Sequence, residues 1–385
     1  MGFKISVREA LAYGLVTQVF IFSFILHSPW TIPKLYTDIL GFFWEDFAER
    51  GLIPYVGGSS EEIFEYPFLS GGLSILWYIL GRDLTGFYIL YSITVFISLI
   101  IIAYIFLKTS RNDIGLICLT SPSIVLFSIY GYDSILAMFT ALSLYMFIKG
   151  RYTLSSIFLA LGFHTKFLSI LLLPYILMNL KKRDALRYLA IFTVATITPI
   201  IFFPKPFFEI VKYHMLWPLE NAWYIYIFPD AAMPLLTLKE ETPSIGAAKL
   251  FGYILMLLLY IYILRREIEP RTFSTLSIMV YLLSTPRYSP QTSILLTPFL
   301  AMVMTQSMFP AFILWEAGNI LIILTWFTTD APHMPWQPPQ VASLIRFIGL
   351  LTLFIQILYR EGLLRFKGFD KLLQILAKRN EAVKV

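Results

Sequence analysis

Several polar residues in this chain sit where apolar runs stop, and their types suit one kind of chemistry. Asp38 follows the first apolar run and precedes a predicted loop helix, and Glu65 and Tyr66 precede a run opened by Pro67. Asp133 lies between two apolar runs, and His164 and Lys166 interrupt a third. Arg287 and Gln291 fall in a Pro-containing break. A carboxylate can take the proton from an attacking hydroxyl. A cation beside a leaving phosphate stabilises the charge that develops there, and a guanidinium matches phosphate geometry. Gln291 can hydrogen-bond sugar hydroxyls. Each residue also has a plainer reading. Asp38 can be an N-cap or a solvated loop acid. Glu65 and Tyr66 can be a helix-start acid and an interfacial aromatic. Asp133 can be a surface loop acid, Lys166 can snorkel, and Arg287 can pair with a loop acid. Spacing alone leaves both readings open.

The elements that must position these residues are apolar helices. The 385 residues are 58% hydrophobic and 14% charged, with mean hydropathy +0.72. A soluble protein is about 25% charged, so lipid must cover much of this surface. A helix needs about 20 apolar residues to cross ~30 Å of hydrocarbon. Runs of roughly that length occur near 10–28, 85–107, 114–130, 133–148, 184–203, 246–264, 293–307, 309–327 and 341–359, with shorter ones near 68–80, 152–165, 166–179 and 272–284. The first run lacks a small-residue cleavage signature and reads as a retained helix. The expectation is a single all-α membrane domain over 1–385 with about 10–13 crossings. A lone cysteine, Cys118, excludes an intramolecular disulfide and reads as a core residue. There is no Walker or GxGxxG pattern. The four histidines lack metal-ligand spacing, so neither a cofactor nor a protein metal site is expected.

Charge assigns the loops to sides. Lys4 and Arg8, Lys108 and Arg111, Lys149 and Arg151, Lys181 to Arg183, Arg265 with Arg266, and the tail 361–385 form basic clusters. The positive-inside rule puts them in the cytoplasm. The net charge of +6 is then a topology signal rather than a nucleic-acid footprint. Segment 29–67 is acidic and segment 204–245 is long and aromatic, so both are expected outside. One parity conflict arises: 68–80 and 85–107 both look helical, yet an outside 29–67 and an inside Lys108 need an odd number of crossings. Either 68–80 is re-entrant or the Lys108 loop breaks the rule. From Phe42 onward, Phe43, Phe47 and Ala48 share one helical face, predicting an amphipathic interfacial helix ended by Gly51. In the second loop, Lys212, His214, Trp217, Glu220, Trp223, Tyr224 and Tyr226 read as an interfacial belt or a sugar-stacking lid. Trp326, His333 and Trp336 carry the same two readings.

Ordered motifs add a resemblance. Tyr36-Thr37-Asp38, Gly51-Leu52-Ile53-Pro54-Tyr55 and Phe64-Glu65-Tyr66-Pro67 occur in the first loop. Tyr130-Gly131-Tyr132-Asp133-Ser134, then Gly162-Phe163-His164-Thr165-Lys166 with Leu173-Pro174, and Ser284-Thr285-Pro286-Arg287-Tyr288-Ser289-Pro290-Gln291 follow in order. Over roughly residues 1–300 the chain resembles the polytopic glycosyltransferase C (GT-C) superfamily. The nearest members are polyprenyl-phosphate-mannose-dependent mannosyltransferases and the first mannosyltransferase of GPI-anchor assembly. The GPI-type enzymes carry Asp-x-Asp in the first loop, whereas here Leu40 takes the third position.

The resemblance implies transfer of a hexose, mannose first, from a polyprenyl or dolichyl phosphate to an acceptor hydroxyl outside the cell, with inversion. Glycan, lipid and protein acceptors all stay open, and the surrounding membrane lipid is a partner. Asp38 would be the base, and Lys166, Arg287 and His164 would hold the donor phosphate. Glu65, Tyr66, Asp133 and Gln291 would contact substrate. A lipid or lipid-linked sugar flippase explains the spans and buried charges equally well, but not the acidic first loop followed by Tyr-Pro.

Overall fold

The computed structural model describes residues 6–32, 35–55, 64–110, 112–232 and 243–364. Helix α1 (Val7–His27) starts from a capping box, with Ser6 and Glu9 bonding each other's backbone N–H. A π-helical stretch, Ile39–Ala48, follows. Next come α2 (Phe68–Gly81), α3 (Leu84–Thr109), the short α4 (Leu116–Leu119) and α5 (Pro122–Phe127), α6 (Asp133–Ile148), α7 (Tyr152–Thr165) and α8 (Leu173–Met178). The chain ends in α9 (Lys182–Phe202), α10 (Pro204–Leu216), α11 (Pro243–Leu264), α12 (Pro270–Ser284), α13 (Ser293–Val303), α14 (Phe309–Trp326) and α15 (Pro338–Arg360). The expected all-α membrane bundle is what forms. Among the described residues the one β-type pairing is an isolated bridge between Glu220 and Arg287.

The helices fall into two lengths. Among the described residues, α1, α3, α9, α11, α15 and the segment Gln306–Trp326 containing α14 are long and apolar enough to cross a membrane. On α9 and α11, Val194, Ile201, Phe202, Leu257 and Leu258 stay exposed, as a lipid-facing surface requires. The others are shorter: α6, α7 and α12 have 16, 14 and 15 residues. At 1.5 Å per residue they rise only about 21–24 Å, less than the ~30 Å of hydrocarbon. The apolar run near 114–130 is interrupted at Thr120 and Ser121, between α4 and α5, and the run near 293–307 is cut short where α13 stops at Val303. Those runs are thus not the continuous spans that hydropathy predicts.

The basic ends of several helices are tied together. Arg8 meets Asp113 at 2.5 Å and Lys108 meets Glu9 at 3.6 Å. Arg271 donates to the Thr109 carbonyl, Arg360 to that of Val303 and Asn112 to that of Met304. These bonds gather the N-termini of α1 and α12 and the C-termini of α3, α13 and α15 at one end of the bundle. At the other end, the Tyr88 hydroxyl donates to the Phe24 carbonyl, so α3 runs antiparallel to α1. Helix α2 begins deeper, where Ser70 donates to the Thr165 carbonyl, and climbs to a tight joint with α3. At that joint a Cβ on Gly81 would lie 2.3 Å from the Phe87 nitrogen. Lys108 therefore keeps company with the other basic residues, and α2 starts beside the end of α7 rather than at the basic end. The half-length helices α6, α7, α12 and α13 leave the basic end and stop at one level inside the bundle.

The first-loop helix differs from its expectation. It is π-helical, begins directly after Asp38, and buries Phe43, Phe47 and Ala48 against the protein. Phe43 stacks on Phe87 with ring centroids 5.1 Å apart, so the apolar face serves the core rather than the lipid interface. Gly51 ends it at φ +68°, as expected. Pro67 stands one residue before α2 rather than within its first turn. The 204–245 loop is helical at its start, in α10, and residues 233–242 lie outside the described residues, as do 365–385 of the basic tail.

Helices α14 and α15 touch backbone to backbone. A Cβ on Gly349 would lie 2.4 Å from the Trp315 nitrogen. Gly349→Val forces this pair apart, and overpacking of that kind costs roughly 1–3 kcal/mol. Thermal unfolding in detergent should show a lower Tm for Gly349→Val and no loss of Tm for Gly14→Ala, where nothing stands within 4 Å and alanine suits the helix better than glycine.

Candidate active site

The ends of the half-length helices bring together residues far apart in sequence. The Asp38 N–H and the Thr37 hydroxyl both donate to the Tyr130 carbonyl, at 2.9 and 3.0 Å. This docks the first loop on the turn before α6. The Tyr66 hydroxyl then donates to Asp38 Oδ2 at 2.7 Å. A Cβ on Gly131 would stand 3.6 Å from Asp38 Oδ2 and 3.5 Å from Asp133 Oδ2, so the two carboxylates flank that glycine. Asp133 opens α6 and is fully buried, and Lys166, where α7 breaks, donates to it at 2.7 Å. The Lys166 ammonium also lies 5.3 Å from the Tyr66 ring centroid.

Arg287 is the second cation. It sits in the turn between α12 and α13, where the bridge to Glu220 holds the backbone. The Glu220 N–H donates to the Pro286 carbonyl and the Tyr288 N–H to the Glu220 carbonyl, both at 3.0 Å. The Arg287 side chain reaches Glu220 Oε2 at 3.1 Å and Glu65 Oε2 at 3.8 Å. Its guanidinium lies 3.7 Å from the Trp217 ring centroid, and Trp217 Nε1 donates to Glu220 at 3.0 Å. The plain reading of Arg287 as a partner of loop acids is thus part of the answer. Glu220 and Glu65 outweigh the effect of burial and raise the Arg287 pKa, so it stays charged.

Arg287 separates two cavities. The first, of about 250 Å³, is lined by Glu65, Tyr66, Lys166, His214, Arg287 and Gln291, among others. The second, of about 310 Å³, is lined by Asp38, Trp217, Glu220 and Asn221, with Tyr36, Tyr130 and Trp326 adding aromatic rings. Gln291 and Ser289 border both. Burial, and next the charge of Glu65, lift the Asp38 pKa from 3.8 to about 7; the Tyr66 hydrogen bond and the two cations pull against this. Such a carboxylate changes protonation near neutral pH, as an efficient general base does.

Two expected site residues are placed elsewhere. His164 lines neither cavity. Its ring packs near Phe68 and Phe163 and faces the backbone of Ala195 and Thr196 in α9. The break of α7 turns Lys166 inward while His164, two residues earlier, points to the neighbouring helix. Asp133 also lines neither cavity; it is fully buried and pairs with Lys166. The second loop divides. Trp217, Glu220 and His214 border the cavities, whereas Trp223 stacks on Phe347 and Tyr224 bonds the Ser284 carbonyl. Trp326 borders the second cavity, and Trp336 is exposed and meets Tyr226. The aromatic run around Trp217 and the Tyr36-Thr37-Asp38 motif signalled this wall, and Ser289 lay within the Ser284–Gln291 motif, but Asn221 carried no signal in the sequence.

The family model of glycosyltransferase family 87 matches residues 64–286, more than half of the chain. That span starts at the Phe64-Glu65-Tyr66 turn, includes Lys166 and Glu220, and ends one residue before Arg287. No curated protein matches the chain. The narrower likeness to mannosyltransferases is a separate matter from this match. The chain belongs to glycosyltransferase family 87 and is a multi-pass membrane glycosyltransferase.

Proposed function

We propose that the chain transfers a hexose, mannose by its sequence resemblance, from a polyprenyl phosphate to an acceptor hydroxyl, with inversion. The observation that carries this reading is the pair of cavities on either side of Arg287. One is lined by both cations and the other by Asp38 and a ring of aromatics. The donor phosphate occupies the cationic cavity, held by Lys166 and Arg287. The acceptor lies against Tyr36, Tyr130, Trp217 and Trp326, with its hydroxyl directed to Asp38.

The bonds balance simply. The acceptor oxygen attacks the anomeric carbon from the face opposite the phosphate, and its proton passes to Asp38. The carbon–oxygen bond to phosphate breaks, and the polyprenyl phosphate leaves with the negative charge. Lys166 and Arg287 stabilise that charge as it grows. Tyr66 orients the base, Gln291 is placed to bond sugar hydroxyls, and Glu65 holds Arg287 until the phosphate arrives. The start of α2 away from the basic end, and the basic end shared by the other helices, support a site opening away from the cytoplasm, within reach of a lipid-borne donor.

Three outcomes test this reading. Membranes containing the chain should transfer label from polyprenyl-phosphate mannose. Asp38→Asn should lower kcat roughly a hundredfold to ten-thousandfold, the usual contribution of a positioned base. Full transfer by this variant excludes the role. In wild type, kcat/KM should fall as pH drops through about 7, because protonated Asp38 cannot accept the proton.

Stability should move the opposite way. A carboxyl whose folded pKa is raised keeps its proton in the folded state at pH values where the unfolded chain has lost it. Its stabilising contribution is present below the unfolded pKa and is lost as pH rises through the folded value near 7. Asp38→Asn should therefore have the higher Tm at pH 8, and the gap should close towards pH 4.

Lys166→Met leaves Asp133 buried and unpaired, which costs about 3–5 kcal/mol. Adding Asp133→Asn should restore the Tm in detergent but not transfer. Recovered transfer in the double variant removes Lys166 from phosphate binding.

A further inference from the structure

Arg346 is fully buried in the middle of α15, and among the described residues no carboxylate forms an ion pair with it. An ionisable residue inside a membrane helix is costly and is usually kept for function. It lines neither cavity. Its bonds go to backbone on the far side of the site. Arg346 Nη2 donates to the Tyr288 carbonyl at 2.6 Å and to the Asn221 carbonyl at 3.1 Å. Nη1 donates to Asn319 Oδ1 at 3.3 Å, and the guanidinium lies 3.5 Å from the Tyr288 ring centroid.

Tyr288 and Asn221 are not arbitrary partners. Each follows directly after one member of the Glu220–Arg287 bridge. One nitrogen thus draws together the two carbonyls that leave the bridge, one from each segment. Asn221 adopts φ +54°, a left-handed turn that asparagine tolerates better than other non-glycine residues. Gln340, also fully buried on α15, donates to Asn221 Oδ1 at 3.2 Å and completes the hold. Gly318 on α14 makes room, since a Cβ there would lie 2.5 Å from the Arg346 nitrogen.

We propose that Arg346 is a positioning residue that fixes the Glu220–Arg287 bridge and so sets where the Arg287 guanidinium stands between the two cavities. The catalytic meaning of this clamp rests on the reading of Arg287 as a phosphate ligand. The clamp itself does not. Lysine cannot replace it, because its side chain ends one atom short of Nη2 and its ammonium lacks the second nitrogen that reaches Asn319 and the plane that lies over the Tyr288 ring.

Two measurements on the full chain separate these levels. Hydrogen exchange without any substrate should show the Glu220 and Tyr288 amides exchanging at least tenfold faster in Arg346→Lys, with the amides of α3 and α6 unchanged. Unchanged exchange at 220 and 288 overturns the clamp, whatever the enzyme's substrate. Kinetics with polyprenyl-phosphate mannose should show the donor KM rising about tenfold or more, with a smaller change in kcat. In the Arg287→Lys background, Arg346→Lys should add little further loss, because it acts through Arg287. Independent, multiplicative losses show instead a general structural role and overturn the proposal. Should Arg346→Lys fail to fold, Gln340→Leu carries the same exchange test, with faster exchange at Glu220 expected and wild-type exchange overturning it. If wild type binds and transfers nothing from this donor, the substrate reading fails while the exchange result still decides the clamp.

Discussion

Four carboxylates share a small buried volume with two cations, and the site is arranged around that excess of negative charge. Asp38, Glu65, Asp133 and Glu220 are each at most 9% exposed, and Lys166 and Arg287 are the positive side chains among them. Burying an unpaired charge is expensive, so each carboxylate is answered in a different way. Asp133 takes Lys166 outright. Glu65 and Glu220 share Arg287. Asp38 is left with a tyrosine hydroxyl, and its answer is to hold a proton up to about pH 7. Asp38, the carboxylate without a dedicated cation, is thus able to exchange a proton near neutrality. Base character here follows from the way the cations are distributed.

The half-length helices make this arrangement possible. A residue at the end of a full span meets water or headgroups, where its charge is screened. Asp133, Lys166 and Arg287 instead stand where α6, α7 and α12 stop partway through the bundle, in a medium of lower dielectric. Broken backbone at that depth is tolerated where it lines a cavity or is satisfied by protein. Both conditions hold. The turn around Tyr130 and Gly131 accepts bonds from Asp38, Thr37 and Tyr91, and the turn after Thr285 is paired with Glu220. The long helices then serve as a wall: α9 and α11 meet lipid, and α15 reaches behind the site to hold its backbone.

What could be read in the sequence follows this division. Long apolar runs are governed by hydrophobicity alone, so α1, α3, α9, α11 and α15 were legible, and the basic residues that marked helix ends do gather at one end of the bundle. Asp38, Lys166 and Arg287 were legible because a charge at the end of an apolar run stands out. Contacts between segments were not. Nothing local tells that Lys166 turns inward while His164 faces α9, or that Asp133 pairs with Lys166. The π-helical winding of 39–48 was also hidden, since its buried face matches that of an ordinary amphipathic helix. Arg346 did leave a signal, a lone cation within an apolar run, but its partners are backbone carbonyls, which no residue pattern encodes.

The excess of acids bears on turnover as well as on binding. In the proposed reaction the incoming donor carries negative charge into a pocket that already holds more acids than cations. Its phosphate must displace Glu65 and Glu220 from Arg287, so part of the attraction is spent on exchange. After transfer the free polyprenyl phosphate carries more charge than the donor did, and a purely cationic pocket would retain it. Here the same two glutamates stay within reach of Arg287 and compete for it again. A guanidinium held between two acids and stacked on Trp217 can pass from carboxylate to phosphate and back with little movement of its own. The geometry therefore favours a site that grips the phosphate while charge develops and lets it go once the bond has broken.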